Sequence, residues 1–239
     1  MKKIFILAVA AIAALTANAQ TKHTVNVWID GEKTTIENVD SLTFTEDTKA
    51  TMEYVDLGLS VKWATCNLGA TKEDETGNYY SWGETETKTD YLLDNWKFKD
   101  GSKYNDEDNK LELDPEDDAA TAALGADWKT PNYDEVQELI DNCDWAYTED
   151  KAVKGFTGTS KKNGKTIFIP LNGSMDEWGL DYVGKYVELW TSERPQGKSQ
   201  PYYVFGVKYN KGGVQTPSMN IRNTYTYPGL GIRPVYVGK

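Results

Sequence analysis

The clearest pattern of apolar and polar positions lies in residues 128–145. Its apolar positions recur at the spacing of one face of an α-helix, and they are Val136, Leu139, Ile140 and Cys143. Asn132 and Glu135 precede this stripe and form a capping-box sequence, because each side chain can accept the backbone N–H of the other residue. The pattern predicts a core helix that begins after Asn132 and buries the stripe.

A second helix is predicted from Asp114 to Gly125, with Asp114 as N-cap and Pro115 in the first turn. Most of the remaining pattern is short and alternating, which is typical of β-strands. The predicted strands are 24–29, 33–37, 39–44, two within 54–66, 151–158, 166–170, 187–192, 201–209 and 229–236. Two helices among many short strands predict an α+β fold.

The chain opens with the three parts of a secretion signal: Lys2 and Lys3, an apolar run at 4–15, and Ala17-Asn18-Ala19. We expect cleavage after Ala19, so that residues 1–19 are a signal peptide and the protein is secreted, periplasmic or displayed on the cell surface. Residues 20–46 are predicted to form a small β-hairpin segment, 47–52 a linker and 53–239 the main domain. No other stretch is long and apolar enough to predict a transmembrane segment.

The charge argues against one class of partner. The full chain has a formal charge of −11, and the loss of two lysines with the signal peptide makes the mature protein more acidic still. Because such a surface repels phosphate backbones, nucleic acid is not expected as a partner.

The chain has two cysteines, Cys66 and Cys143. An even pair in an exported protein favours one disulfide, and two free thiols are the alternative. A cysteine nucleophile is disfavoured because His23, just after the expected cleavage site, is the single histidine. No cofactor and no catalytic residue is predicted.

Residues 105–118 carry clustered acidic side chains, which is the kind of ligand that Ca²⁺ prefers. The segment does not fit the EF-hand loop, because Lys110 and Leu111 stand where that pattern needs a ligand and a glycine. We predict a solvated acidic loop without a metal site, and whether it binds a cation stays open.

Six sequence blocks in this order resemble the Fibrobacter succinogenes major paralogous domain family of exported Bacteroidota proteins, over roughly residues 53–237. The blocks are VDLGLSVKWATCNLG (55–69), GNYYSWGE (77–84), DAA (118–120), WKTPNYDE (128–135), LWTSE (189–193) and GIRPV (231–235). The resemblance implies a C-type-lectin-like fold, in which two helices flank twisted antiparallel sheets and a long loop region projects. Both cysteines lie in family blocks, which supports the disulfide.

The resemblance does not bring a known chemistry with it. The E-P-N, Q-P-D and W-N-D motifs of calcium-dependent lectins are absent. The oxidation chemistry of formylglycine-generating enzymes requires a cysteine pair in the C-terminal part, and this sequence has no cysteine after Cys143. Fold alone does not give function.

Aromatic and arginine side chains crowd the C-terminal part of the chain: Trp178, Trp190, Arg194, Tyr202, Tyr209, Arg222, Tyr225 and Tyr227. Flat rings stack on sugar faces, and tyrosine and arginine are frequent in protein interfaces. The preferred hypothesis is a non-catalytic binding or adhesion module for a glycan or protein ligand. Its candidate ligand-binding residues are Trp190, Arg194, Tyr209, Arg222 and Tyr225. The alternatives are a structural or assembly subunit of a surface structure, and a glycan-processing enzyme using carboxylates such as Glu193 or Asp176 and Glu177.

Overall fold

The structure is a computed structural model that describes residues 23–29, 32–39, 52–211 and 214–238. Contacts divide the chain into two compact units, with the division between residues 48 and 49. The expected signal peptide, linker and strand at 39–44 lie outside the described residues, except for Val39 and Met52. Within the described ranges the chain is mainly β-sheet with two α-helices, so the predicted α+β class is confirmed.

The first unit holds one hairpin, in which β1 (His23–Ile29) and β2 (Glu32–Val39) pair antiparallel. The helices of the second unit are α1 (Ala119–Leu124) and α2 (Tyr133–Asn142), with short 3₁₀ turns at Leu93–Asn95 and Pro115–Asp117. Its strands are β3 (Tyr54–Val55), β4 (Lys62–Ala64), β5 (Trp128–Lys129), β6 (Cys143–Thr148), β7 (Gly155–Ser160), β8 (Thr166–Pro170), β9 (Ser174–Asp176), β10 (Gly179–Asp181), β11 (Tyr186–Trp190), β12 (Tyr202–Lys211), β13 (Val214–Asn223) and β14 (Val235–Tyr236). Strands β5, β6, β9, β10 and β13 were not among the predicted ones.

Helix α2 forms where the capping box predicts it. The Asn132 side chain accepts the Glu135 N–H at 2.9 Å, and the Glu135 carboxylate accepts the Asn132 N–H at 2.8 Å. Val136 and Leu139 are buried, as is Cys143 just after the helix, whereas Ile140 is half-buried. The sequence therefore predicted both the start of this helix and its buried face.

The second predicted helix is divided in two, which corrects the prediction for residues 114–125. Asp118 has an extended backbone and starts a new helix, because its carboxylate accepts the Ala120 N–H at 2.9 Å. The same carboxylate also accepts the backbone N–H and the hydroxyl of Thr130, at 2.8 and 2.7 Å. The aspartate that lies in the middle of the predicted helix is thus an N-cap that also fastens α1 to the segment after β5.

The four-stranded sheet of the second unit has the order β3-β4-β14-β5. The C-terminal strand β14 lies in its interior, with Val235 opposite both Trp63 and Lys129. Two three-stranded antiparallel sheets, β6-β7-β8 and β11-β12-β13, and the hairpin β9-β10 complete the unit. The first and last strands of the unit consequently share one sheet.

Two clusters of buried side chains form the core. One lies around Trp82, Trp128 and Trp190, and the other around Trp63, Phe156 and Leu171. Trp63 and Trp128 are buried in these clusters, and Trp145 is half-buried against the second one. In the described part of the chain, no helix is long and apolar enough to cross a membrane.

The Arg233 side chain is only 1 % exposed and carries no carboxylate partner among the described residues. Its guanidinium donates to the Asn67 side-chain oxygen at 2.8 Å and to the backbone carbonyls of Ala64 and Phe168 at 3.1 and 3.0 Å. Burial lowers the pKa of this guanidinium to about 10, which leaves it protonated at neutral pH. One buried cation therefore joins the start of the unit, β8 and the C-terminal segment.

The predicted disulfide between Cys66 and Cys143 is not present; both cysteines are free and buried. Cys143 packs in the second core cluster, whereas the Cys66 Sγ lies 3.3 Å from the Ala70 carbonyl oxygen and 3.4 Å from the Met52 sulfur. Each sulfur thus has its own surroundings. Burial raises the pKa of both thiols, that of Cys143 to about 11, so both are protonated and unreactive at neutral pH.

Arg233→Met is expected to lower the free energy of unfolding by at least about 3 kcal/mol, because it leaves three buried acceptors without a donor. Urea denaturation measures this loss. Arg222→Met is the matched control, since Arg222 is exposed and its guanidinium carbon lies 3.8 Å from the centre of the Phe205 ring. The control is expected to lose about 1 kcal/mol or less. Equal losses in the two variants would contradict the role given to Arg233.

A maleimide reagent, applied without reductant, is expected to label neither cysteine in the native protein and both in urea. The native thiols are shielded and protonated, and unfolding exposes them. Mass spectrometry counts the labels. A protein that takes up label in urea only after reduction contains the disulfide after all.

Candidate functional site

An open cleft of about 600 Å³ lies where three separate segments of the second unit meet. Its lining residues are Tyr91, Leu92, Leu93, Asp94, Asp176, Glu177, Tyr227 and Pro228. The first four come from the long loop region before α1, the next two from the β9-β10 hairpin, and the last two from the segment before β14. Residues distant in sequence thus form one surface.

The floor of the cleft is fixed by hydrogen bonds between these segments. The buried Tyr91 hydroxyl donates to the Tyr79 carbonyl oxygen at 2.6 Å. Met175 and Gly229 exchange two backbone hydrogen bonds of 2.8 and 2.7 Å, which attach the hairpin to the C-terminal segment. A Cβ atom at Gly229 would lie 2.6 Å from the Tyr91 ring, so only glycine permits this close approach. The cleft is therefore built on a close-packed base.

The tip of the β9-β10 hairpin presents an exposed tryptophan beside the cleft. Asp176 accepts the Trp178 N–H at 2.8 Å, and Gly179 has a positive φ of 105°, which an L side chain rarely adopts. The turn leaves Trp178 87 % exposed, next in sequence to Glu177 in the cleft lining. Burying a ring of this size is favourable, so a fully exposed tryptophan at a cleft is typical of a binding surface.

A second aromatic surface lies at the cleft. The rings of Tyr225 and Tyr227 are stacked, with centroids 5.4 Å apart and planes at 24°. Tyr227 lines the cleft, and Tyr225 is 59 % exposed. Leu92 and Leu93 add exposed apolar surface at the cleft itself. The site combines ring faces and aliphatic groups accessible to solvent.

The lining has carboxylates and no basic side chain. Three lysines lie close in sequence to residues 91–94: Lys88 pairs with Glu84 at 2.8 Å, Lys97 pairs with Asp117 at 2.5 Å, and the Lys99 ammonium donates to the backbone carbonyl of Asp94. Within the part of the chain that the structure describes, the carboxylates of Asp94 and Glu177 have no hydrogen-bond or ion-pair partner. The cleft is therefore acidic and open to hydrogen-bond donors.

Two of the five predicted ligand-binding residues are buried. Trp190 is 2 % exposed, and its indole N–H donates to the Tyr80 carbonyl oxygen at 2.6 Å. Arg194 is also buried, and its guanidinium donates to the backbone carbonyls of Lys110, Lys198 and Asn105. Neither side chain offers a surface to a ligand, because core packing and backbone acceptors occupy them. Both are left out of the site.

The other three predicted residues are exposed but do not lie together. Tyr209, in β12, and Arg222, in β13, belong to the β11-β12-β13 sheet, and neither lines the cleft. Tyr225 lies beside the cleft through its stack on Tyr227. The aromatic crowding of the sequence pointed to Tyr225 and Tyr227, but residues 91–94 lie in a loop without a periodic pattern and gave no signal.

The acidic loop contains three carboxylates close enough together to hold a metal ion, those of Asp114, Glu116 and Asp117. The Lys103 ammonium lies among them, 2.5 Å from Asp114 and 3.2 Å from Glu116, and it also bonds Asp117. Burial alone would lower the pKa of Lys103, but the hydrogen bonds to these carboxylates outweigh it and raise that pKa. A lysine of the chain thus supplies positive charge to this group.

Glu193, one of the carboxylates considered for catalysis, has a structural role. Its carboxylate accepts the Tyr133 N–H in the first turn of α2 at 2.8 Å. Burial raises the pKa of Glu193, and this hydrogen bond acts in the opposite direction. Asp176 and Glu177 line the cleft, where Asp176 also shapes the hairpin turn.

Trp190→Ala is expected to lower the free energy of unfolding by about 3–5 kcal/mol, because it leaves a cavity in the first core cluster. Trp178→Ala is the matched control and is expected to change it by less than about 0.5 kcal/mol, since its ring is exposed. Urea denaturation of both variants makes the comparison. If Trp190→Ala is neutral, the assignment of Trp190 to the core is wrong.

No protein-family model, no curated protein and no solved structure matches this chain.

Proposed function

We propose that this protein is an exported, non-catalytic binding module that takes a glycan in the cleft between residues 91–94, 176–177 and 227–228. The observation that carries the proposal is the pair of exposed aromatic surfaces, Trp178 and the Tyr225–Tyr227 stack, beside an open cleft with free carboxylates. The proposal includes the signal peptide and the C-type-lectin-like fold that the sequence resemblance implies. That fold is supported by two helices and by the shared sheet of the first and last strands.

A glycan fits the chemistry of this surface. The C–H faces of a sugar ring stack on flat aromatic rings, and its hydroxyl groups donate to carboxylate oxygens. The cleft offers both, with Leu92 and Leu93 as additional apolar contacts. Its volume of about 600 Å³ falls in the range of small-ligand sites. Since the carboxylates come from the protein, recognition of this kind needs no bridging calcium ion.

Binding without catalysis is favoured by where the perturbed carboxyl groups lie. Hydrolysis of a glycosidic bond needs one carboxyl group with a raised pKa beside a second carboxylate. Burial raises the pKa of Glu188 and Glu193, and neither lines the cleft. Asp94 and Glu177 in the lining are exposed, as suits hydrogen-bond acceptors for a bound ligand.

A glycan array probed with residues 20–239, with calcium and with chelator, is expected to give hits that survive the chelator. Tyr225→Ala is expected to weaken a hit about tenfold, which corresponds to about 1.4 kcal/mol for one ring contact. Tyr209→Ala is the matched control, because Tyr209 is 53 % exposed but does not line the cleft.

Three results would count against this proposal. Loss of binding in Tyr209→Ala with normal binding in Tyr225→Ala would move the site to the β11-β12-β13 sheet. Hits that vanish with chelator would point to a cation-dependent mode. A blank array would favour a protein ligand over a glycan.

A further inference from the structure

We propose that the ligand of this cleft is a glycan that bears free amino groups, such as an unacetylated hexosamine oligosaccharide. The inference rests on the proposed function and makes it more specific: the aromatic rings hold the sugar, and the carboxylates of Asp94 and Glu177 bind its ammonium group. Two observations support it: the lining of the cleft is acidic, and among the described residues these two carboxylates have no hydrogen-bond or ion-pair partner.

The sign of the charge excludes one group of glycans first. Asp94, Asp176 and Glu177 contribute negative charge, and the lining has no lysine or arginine to balance it. Uronic acids, sialic acids and sulfated sugars are repelled by such a site. The surrounding chain, with its formal charge of −11, adds to this repulsion. The remaining choice is between neutral and cationic sugars.

Another cleft of the same unit shows how the chain neutralises an acid when no cationic ligand is needed. This second cleft, of about 450 Å³, is lined by Asp106 and Arg194 among other residues. The Asp106 carboxylate lies 3.3 Å from the Arg194 guanidinium, so the protein supplies its counter-charge. In the first cleft neither the Asp94 nor the Glu177 carboxylate has such a partner among the described residues, and the Lys99 ammonium bonds the backbone carbonyl of Asp94.

An ammonium group gains more from this site than a hydroxyl group does. Both groups form charge-assisted hydrogen bonds to a carboxylate, and the ammonium adds the Coulomb attraction between two opposite charges. A cation that approaches Tyr227 or Tyr225 is also attracted by the negative face of the ring. The charge of the cleft and its ring faces thus both favour an ammonium group over a hydroxyl group.

One feature of the cleft competes with this selection and determines the best comparison. Leu92 and Leu93 offer apolar surface that suits the methyl group of an N-acetyl substituent. The amino, N-acetyl and hydroxyl forms of one oligosaccharide therefore have to be compared directly. Glucosamine, N-acetylglucosamine and glucose tetramers with the same β-1,4 linkage differ only in the substituent at C2.

Titration calorimetry of residues 20–239 with these three tetramers, below the pKa of the sugar amine, tests the proposal. We expect the glucosamine tetramer to bind about fivefold more tightly than either of the others, as one exposed ion pair implies. Its advantage is expected to shrink as salt is added, because ions screen exposed charges. Asp94→Asn and Glu177→Gln are each expected to weaken the glucosamine tetramer more than the glucose tetramer, because the amino sugar loses an ion pair and the neutral sugar only a hydrogen bond.

Glu107→Gln is the matched control, since it makes the same change of charge at an exposed acid that does not line the cleft. Equal affinity for the three tetramers, or preference for the acetylated one, overturns the amino-sugar inference and leaves the proposed glycan function standing. The same holds if none of the tetramers binds while the array gives neutral hits. Weakening by Glu107→Gln equal to that by Glu177→Gln shows a general charge effect and also overturns the inference. If no tetramer binds and the array gives no hit, the inference and the proposed function are both overturned.

Discussion

The buried guanidinium of Arg233 is the interaction on which the second unit depends. A charge removed from water needs hydrogen-bond partners, and here the three acceptors come from two separate parts of the chain. Asn67 and Ala64 lie at the start of the unit, and Phe168 lies in β8. A cation that requires all three at once fixes their mutual position, and with it the position of β14 between β4 and β5.

The cleft depends on that constraint through the chain that precedes Arg233. Residues 226–232 form backbone hydrogen bonds to one neighbour after another: Thr226 to Trp82, Gly229 to Met175, Leu230 to Tyr80, Gly231 to Trp190 and Ile232 to Leu68. This segment carries Tyr227 and Pro228 into the cleft, and it holds the β9-β10 hairpin beside them. A buried residue outside the cleft thus positions the lining of the cleft.

How far the sequence predicts this structure depends on how local the determining contacts are. The capping box of α2 needs only residues three apart, and it was predicted correctly. The division at Asp118 could not be predicted, because the partner that decides it is Thr130, twelve residues away in the next segment. The disulfide prediction was wrong for the same reason. Export of the protein and an even number of cysteines favour a disulfide, but the surroundings of each sulfur are set by tertiary packing.

Tertiary contacts also decide which residues form the candidate site, and the sequence does not show them. Tryptophans 178 and 190 look alike in the sequence, yet one is exposed and the other is buried with its indole N–H bonded to Tyr80. The acidic run at 105–118 resembles a cation site, but Lys97, Lys103 and Lys110 pair with its carboxylates. Residues 91–94 show no motif, and there Asp94 keeps a carboxylate without a partner among the described residues. A binding site is made of groups that the fold leaves unsatisfied. A motif shows which groups are near in sequence, whereas only the packed structure shows which of them still need a partner.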